Sequence, residues 1–170
     1  MLICIDHAQG LVVIPKAASR TIMDAIAVSG LHWAELQARD FEALPDRRAF
    51  IREPHERAAS AFRMYTMSGS GHGHDLSSFD DFIADICRDH KMDPHVMPQM
   101  KLCSPKSVFL PNHIIRWDFD DLARLLRIPR EAVPHRNGSW RGTKTIWSDA
   151  SRALFDEVYA DDLKLWRGND

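Results

Sequence analysis

The sequence of 170 residues lacks several features that mark common classes of protein. It has three cysteines, Cys4, Cys87 and Cys103, and no Cys-x-x-Cys pair, so neither a disulfide framework nor a zinc knuckle is indicated. A reducing cytoplasm is therefore the expected compartment. The N-terminus has no signal-peptide pattern, and no apolar run reaches the length of a membrane span. The net charge of −2 predicts no general attraction to nucleic acid, so any anion site must be built locally.

Apolar runs alternate with helical patterns, which predicts one α/β domain over residues 1–170 with a mainly parallel sheet flanked by helices. Strands are expected at residues 2–5, 11–14 and 48–52, the first two as a hairpin, and "SVFLPNHIIRW" holds two further short strand-like runs. Helices are expected at residues 21–28, at 54–67, and after the capping residues Ser78, Asp118 and Ser148, the last running on to Trp166. The glycine-rich stretch 68–78 and the proline-punctuated stretch 92–106 are predicted to be loops.

A lysine follows the second predicted strand, in the stretch "IPKAASRT". The loop and first helical turn would present Lys16, Ala17, Ala18, Ser19, Arg20 and Thr21. Free amides at the start of a helix bind anions, and Lys16 adds a positive charge. The glycines of a triphosphate-binding loop, G-x-x-x-x-G-K-[ST], are missing. The stretch is thus either an anion site of another kind or a turn whose lysine faces solvent.

The stretch "RRAFIREPHERAASAFR" carries five arginines in a slightly acidic chain. Arg52 ends a predicted strand, so it is expected at the carboxyl edge of the sheet, where open α/β sheets bind ligands. Arg57 and Ser60 lie three apart on the next helix, and a guanidinium with a nearby hydroxyl suits a phosphate. Alternatively, Arg57 pairs with Glu53 or Glu56 on the helix surface.

Two anion motifs in one chain indicate a ligand with two separated phosphates. At this point the sequence resembles the sulfotransferases that use 3′-phosphoadenosine-5′-phosphosulfate. "IPKAASRT" is similar to their 5′-phosphosulfate loop, and "IREPHERAASAF" is similar to their 3′-phosphate motif. "HVMPQMKLCSP" resembles a segment of the carbohydrate (Golgi-type, sulfotransferase family 2) branch.

The chain departs from that branch at two positions. Val96 stands where a tryptophan is usual, and Lys106 stands where a second cysteine is frequent, so a luminal-type disulfide is not expected. An anchor and a stem of the Golgi kind are not found in the sequence. The expectation is a bare catalytic domain of bacterial or viral origin, working in the cytoplasm.

The resemblance implies a P-loop-like fold of three layers, with a parallel sheet between helices. It implies transfer of a sulfuryl group from the nucleotide donor to a hydroxyl, on a carbohydrate or glycolipid, with adenosine 3′,5′-bisphosphate as product and without a metal. Lys16 would stabilise the charge on the leaving oxygen. The nucleotide-binding residues would be Lys16, Ala17, Ala18, Ser19, Arg20, Thr21, Arg52, Ser60, Arg136 and Ser139. Arg136 and Ser139 lie in "VPHRNGSWRG", which would cover the nucleotide or form a solvated turn.

The acceptor hydroxyl also needs a base. His95, in the segment that resembles the family, is the predicted base. His72 and His74 in the glycine-rich stretch, and the acidic residues Asp80 and Asp81, remain alternatives. His95 could instead be a loop histidine bonded to the backbone. No spacing of histidine and cysteine matches a metal motif.

Two rival functions stay open at this stage. A nucleotide kinase would need magnesium and a carboxylate at a strand end, for which Asp6 is the obvious residue. A non-catalytic protein that binds adenosine bisphosphate would keep the anion motifs without the chemistry. The sequence specifies neither the acceptor nor the oligomeric state.

Overall fold

The structure, a computed structural model, describes residues 1–6, 9–69, 73–89, 93–104, 110–134 and 145–168. Its centre is a five-stranded sheet in the order β3-β1-β2-β4-β5. The strands are β1 Leu2–Ile5, β2 Gln9–Val12, β3 Trp33–Glu35, β4 Asp46–Ile51 and β5 His113–Arg116. The helices are α1 Ser19–Ser29, α2 Ala38–Glu42, α3 Pro54–Ser68, α4 Phe79–Arg88, α5 Gln99–Cys103, α6 Phe119–Leu126, α7 Asp149–Val158 and α8 Ala160–Arg167.

The sheet is mixed. The predicted hairpin is confirmed, because β1 and β2 pair antiparallel with Ile3 opposite Leu11. β1 also pairs antiparallel with β3, whereas β2 with β4 and β4 with β5 are parallel. The prediction of a mainly parallel sheet is therefore wrong: two of the four pairings are antiparallel. The short turn between β1 and β2 forces the first of them, since parallel neighbours need a long crossover.

Most helix boundaries follow the local signals that predicted them. Ser78, Asp118 and Ser148 each accept amide hydrogen bonds as the N-caps of α4, α6 and α7. Gly30 ends α1 in the left-handed conformation, as a glycine after a helix commonly does. Proline opens α3, where its missing N–H costs nothing.

One strand and two short α-helices were not predicted, and one predicted helix is divided. β3 is exposed along its whole length, so it lacks the apolar alternation that reveals a strand. α2 is a five-residue helix without a side-chain cap. α5 lies in the stretch predicted as a loop; the Asp162 carboxylate caps it by accepting from the amides of Gln99 and Met100 at 2.7 and 2.8 Å. The last predicted helix is two helices, α7 and α8, which meet at Tyr159.

Helices cover both faces of the sheet. Alternate strand side chains point to opposite faces, so Leu11 and Phe50 pack with Ile22 and Leu122 of α1 and α6. On the other face, Val12, Ala49 and Ile51 pack with Phe41 of α2, Cys103 of α5 and Trp166 of α8. A separate aromatic cluster joins α3, α4 and α7. No helix in the described residues is long and apolar enough to cross a bilayer.

Candidate active site

Two parallel strands bring the predicted anion motifs together. β2 and β4 are neighbours and run in the same direction, so the residues that follow them lie at one edge of the sheet. Lys16 follows β2 and Arg52 follows β4 directly. The Arg52 guanidinium lies 3.4 Å from the backbone carbonyl of Lys16. The predicted position of Arg52 at the carboxyl edge is confirmed.

The loop before α1, residues 13–18 and called the lysine loop below, turns tightly without glycine. Lys16 and Ala18 adopt left-handed φ angles of 65° and 56°, and Ala17 between them is fully buried in the core. A left-handed conformation costs a residue with a Cβ about 1–2 kcal/mol, so packing must hold the loop in shape. No side chain caps α1, and its first turn holds no acidic residue. Its first amides, at Ser19, Arg20 and Thr21, have no partner within the helix and can serve an anion.

The Lys16 ammonium lies in a strongly positive environment. Burial, followed by the charges of Arg52, Arg20 and Arg63 in that order, lowers the pKa of Lys16 to about 8. Within the part of the chain that the structure describes, the Lys16 ammonium makes no hydrogen bond. Its loop therefore concentrates cations without an acidic partner for the lysine, in a protein whose net charge is negative.

Arg63 is a site residue that sequence reasoning missed. It lies on α3, and both burial and the charge of Arg52 lower its pKa. It donates to the Thr145 hydroxyl at 3.2 Å. A signal was present in the sequence: Ser60 and Arg63 are three apart on α3, the spacing that places two side chains on one helix face.

Arg57 does not pair with a surface glutamate, and that interpretation is wrong. Its side chain is buried and donates to three backbone carbonyls, those of Pro15 at 3.1 Å, Pro94 at 2.9 Å and Met97 at 2.9 Å. Pro15 precedes Lys16, and the other two carbonyls bracket His95. One guanidinium thus fixes the lysine loop and the segment with the predicted base next to each other.

Arg52 and Ser60 are the two residues predicted to bind the 3′-phosphate, and the structure gives each a different setting. Gln99 holds the Arg52 backbone through two hydrogen bonds of 2.9 Å, one to its N–H and one to its carbonyl. The Arg52 side chain contacts Glu56 at 3.4 Å, a long and exposed ion pair. Ser60 is partly buried on the next turn of α3 and makes no hydrogen bond among the described residues.

His95 is held by a carboxylate. Its ring Nδ1 lies 2.9 Å from Asp93 Oδ1, and the same oxygen accepts from the His95 amide at 2.8 Å. About a third of the His95 side chain is exposed, at 32%. With Nδ1 engaged, Nε2 is the ring nitrogen that can take up a proton.

The model of the sulfotransferase family matches residues 2–167. The chain belongs to the sulfotransferase family. This match confirms the resemblance to sulfotransferase family 2 that the two anion motifs and the segment "HVMPQMKLCSP" indicated. Searches of curated proteins and of solved structures each found no match.

The alternatives to His95 as the base of this sulfotransferase were His72, His74, Asp80 and Asp81, and none of those in the described residues is as well placed. The His74 side chain is fully buried, and its Nδ1 contacts Asp85 at 2.8 Å. Asp80 and Asp81 are exposed in the first turn of α4. Their partners are serines: Asp81 accepts from Ser78, and the hydroxyl of Ser151 lowers the pKa of Asp80. His72, Arg136 and Ser139 lie outside the described residues.

Asp6 cannot serve the lysine loop of this sulfotransferase as a kinase carboxylate would. It follows β1, which is antiparallel to β2, so it lies at the opposite edge of the sheet from Lys16. Asp6 instead accepts from the His32 amide at 3.2 Å. Over the described residues, no group of three His, Cys, Asp or Glu side chains is arranged to hold a metal ion.

Proposed function

We propose that this sulfotransferase moves the sulfuryl group of 3′-phosphoadenosine-5′-phosphosulfate to a hydroxyl of a carbohydrate or glycolipid, in the cytoplasm. The observation that supports this most is the lysine loop, where a desolvated ammonium lies among arginines at the uncapped start of α1. Such a site suits a ligand with several phosphate charges. Three free cysteines are compatible with a reducing compartment.

The residues at the carboxyl edge of β2 and β4 can be divided between the two ends of the donor that carry phosphate groups. We assign the 5′-phosphosulfate to Lys16 and to the first amides of α1, and the 3′-phosphate to Arg52 and Ser60. Arg136 and Ser139 remain the proposed cover of the nucleotide. Helices on both faces of the sheet are compatible with the P-loop-like arrangement of three layers that the family resemblance implies.

The donor, when bound, supplies a sulfuryl group whose bond to the bridging oxygen breaks with the electron pair left on the 5′-phosphate. Lys16 places positive charge where that negative charge develops, which is the most effective way for a protein to stabilise such a step. His95 Nε2 takes the proton of the acceptor hydroxyl as its oxygen bonds to sulfur. Arg57 fixes the two segments relative to each other and touches neither reactant in this scheme.

Glu56 must release Arg52 before the 3′-phosphate binds. The exposed pair between them is long, at 3.4 Å, and such pairs contribute about 0–1 kcal/mol. Replacing Glu56 with glutamine should therefore tighten nucleotide binding slightly, by about two- to fivefold.

The decisive experiment incubates the protein with donor labelled in its sulfate and a panel of mono- and oligosaccharide acceptors. Transfer of label to an acceptor should match release of adenosine 3′,5′-bisphosphate one to one. Arg52→Ala should weaken bisphosphate binding by about 10- to 100-fold, as expected for losing hydrogen bonds to a charged group. Arg48→Ala is the matched control, because Arg48 lies on β4, the strand that Arg52 follows, and pairs with Asp46 at 2.8 Å.

Two results would contradict the proposal. Tight bisphosphate binding without transfer to any acceptor would favour the non-catalytic binding protein. Stabilisation by ATP with magnesium, and none by the bisphosphate, would favour the kinase.

A further inference from the structure

A buried carboxylate lies behind His95. The Asp93 side chain is 5% exposed, and its two oxygens have different partners. Oδ1 accepts from the amide and from Nδ1 of His95, and Oδ2 accepts from the Tyr65 hydroxyl. His74 Nε2 lies 3.7 Å from Oδ2, beyond hydrogen-bonding distance.

The hydrogen bonds keep Asp93 ionised. Burial alone would raise its pKa, but the hydrogen bonds from Tyr65 and His95 lower it below the ordinary value. Burial raises the pKa of the Tyr65 phenol, and its bond to Asp93 raises it further, so Tyr65 stays a donor. An ionised carboxylate can only accept hydrogen bonds. The proton between Asp93 and the ring must therefore be on His95 Nδ1.

We propose that Asp93, itself held by Tyr65, is a positioning residue that fixes His95 in the Nδ1–H tautomer and so presents Nε2 as the base toward the acceptor hydroxyl. This inference rests on the proposed function, in which His95 receives the acceptor's proton. Asp93 touches neither donor nor acceptor in this scheme. It acts through the orientation of the ring and through stabilising the imidazolium that forms.

The tautomer can be measured without any activity. Histidine labelled with ¹⁵N in both ring positions distinguishes Nδ1–H from Nε2–H by NMR, and the spectrum of His95→Gln identifies the His95 signals. The wild-type ring, observed in its neutral form at alkaline pH, should be the Nδ1–H tautomer. Asp93→Asn should change that population, because an amide can donate as well as accept. A wild-type ring in the Nε2–H form would overturn the proposal.

The kinetic test asks whether Asp93 acts through His95. Asp93→Asn should lower turnover by about 10²-fold or more, and His95→Ala by a similar or larger factor. In the His95→Ala background, adding Asp93→Asn should lower turnover by less than about threefold, because residues that act as a unit are not additive. Bisphosphate affinity should stay within about twofold in each folded variant.

Asp85→Asn is the matched control. It also removes a buried carboxylate from a histidine, since Asp85 contacts His74 at 2.8 Å. It should lower stability while turnover per folded molecule stays near that of wild type. Tyr65→Phe keeps the packing and should give an intermediate loss, which preserves the test if Asp93→Asn folds poorly.

The outcomes separate the two proposals. Independent, multiplying losses from Asp93→Asn and His95→Ala would overturn the positioning role even if sulfuryl transfer is found. If no acceptor is sulfated, the proposed function fails, and the tautomer measurement still decides whether Asp93 fixes the ring.

Discussion

At the scale of single residues, Lys16 combines an unusual backbone with an unusual side-chain environment. Its φ of 65° is one that glycine normally adopts, and burial together with nearby arginines makes its charge costly. Both features are costly in the empty loop, and a bound anion would offset the cost of the charge. A residue maintained at such a cost is a marker of function rather than of stability.

The lowered pKa of Lys16 predicts how nucleotide binding depends on pH. Free Lys16 loses its proton near pH 8, and a bound phosphate would raise that pKa, so above about pH 8 binding must take up a proton. The affinity for adenosine 3′,5′-bisphosphate should therefore fall as pH rises from about 8, by up to tenfold per pH unit. The phosphates themselves are already fully ionised there, since their second pKa is about 6.

Titration calorimetry from about pH 7 to about pH 9.5 measures this dependence. Lys16→Met is the control: its affinity should be lower at about pH 7 and flat above pH 8. An equal slope in wild type and Lys16→Met would mean that another group titrates. Lys16→Met should also lower turnover by about 10²–10³-fold, the loss typical of removing one group that stabilises developing charge.

At the scale of elements, α3 is the helix that organises the edge. Its N-cap Glu53 and its second residue His55 tie it to α7, because the His55 ring contacts Glu53 and Asp156 at 2.6 Å each. One turn further, Arg57 holds the lysine loop and the His95 segment. Ser60 and Arg63, both partly buried, lie further along the same helix. The residues that hold the fold together and those proposed to bind the ligand therefore share one element.

Removing the Arg57 guanidinium should loosen both segments at once. Arg57→Met leaves three partly buried carbonyls without their donor, and an unsatisfied buried group costs about 1–3 kcal/mol. We expect the free energy of unfolding in urea to fall by about 3–5 kcal/mol, with bisphosphate affinity and turnover both reduced in the protein that remains folded.

Arg88→Met is the control for Arg57→Met, because the Arg88 side chain is 76% exposed and lies 3.7 Å from the carboxylate of Asp85. It should change stability by less than about 0.5 kcal/mol. Equal stability of Arg57→Met and Arg88→Met would show that Arg57 does not hold these segments.

The contact between α3 and α7 should depend on pH. Glu53 and then Asp156 raise the pKa of His55, so its contribution is complete below the unfolded value of about 6.5 and is lost as pH rises through the folded pKa. The pKa of Glu53 is lowered by its bonds to His55 and to the Glu56 amide, although burial opposes this. That second contribution is present above about pH 4.5 and is lost in acid.

Urea unfolding at a series of pH values measures how the free energy of unfolding changes with pH in both ranges. Relative to His55→Gln, which lacks the charged pair, wild type should lose stability as pH rises above about 6.5 and through the raised pKa of His55. His32→Gln is the control, because His32 is exposed at the start of β3. A wild-type profile parallel to that of His55→Gln would exclude the ion pair as the cause.

At the scale of the whole molecule, the site is assembled from distant parts of the chain. The lysine loop precedes α1, and Arg52 follows β4. The segment with His95 precedes α5, and Asp162 of α8 accepts a hydrogen bond from the first amide of α5. Each contact crosses between parts that are far apart in sequence. A ligand that bridges them should therefore stabilise the fold as a whole.

Adenosine 3′,5′-bisphosphate should raise the melting temperature more than adenosine 5′-phosphate at equal concentration. At about a hundred times its dissociation constant, it should add about 2.7 kcal/mol to the free energy of unfolding. The monophosphate lacks the group that Arg52 and Ser60 would bind. Differential scanning calorimetry makes the comparison, and equal shifts from the two nucleotides would mean that no 3′-phosphate site exists.

Local sequence determined the elements whose signals are local. The caps at Ser78, Asp118 and Ser148 and the stop at Gly30 define helix ends, because each depends on neighbouring residues. The apolar runs locate β1, β2 and β4, although β2 and β4 each begin two residues earlier than predicted. Two short motifs also indicated the family, which the family model confirms, and they predict two anion sites. The left-handed backbone of the lysine loop could not be predicted from the local sequence, because the packing around Ala17 sets the conformation of the loop.

Tertiary structure alone decided what depends on contacts between distant segments. α5 forms where the sequence indicates a loop, because a carboxylate from α8 caps it. Arg57 resembles a surface residue in the sequence, yet its partners are carbonyls 37 to 42 residues away. Asp6 lies away from the lysine loop because β1 and β2 are antiparallel. His95 contacts Asp93 because of the path that their loop takes. Periodicity and capping act over a few residues, whereas burial, charge and hydrogen bonding at this site act between segments that only the fold brings together.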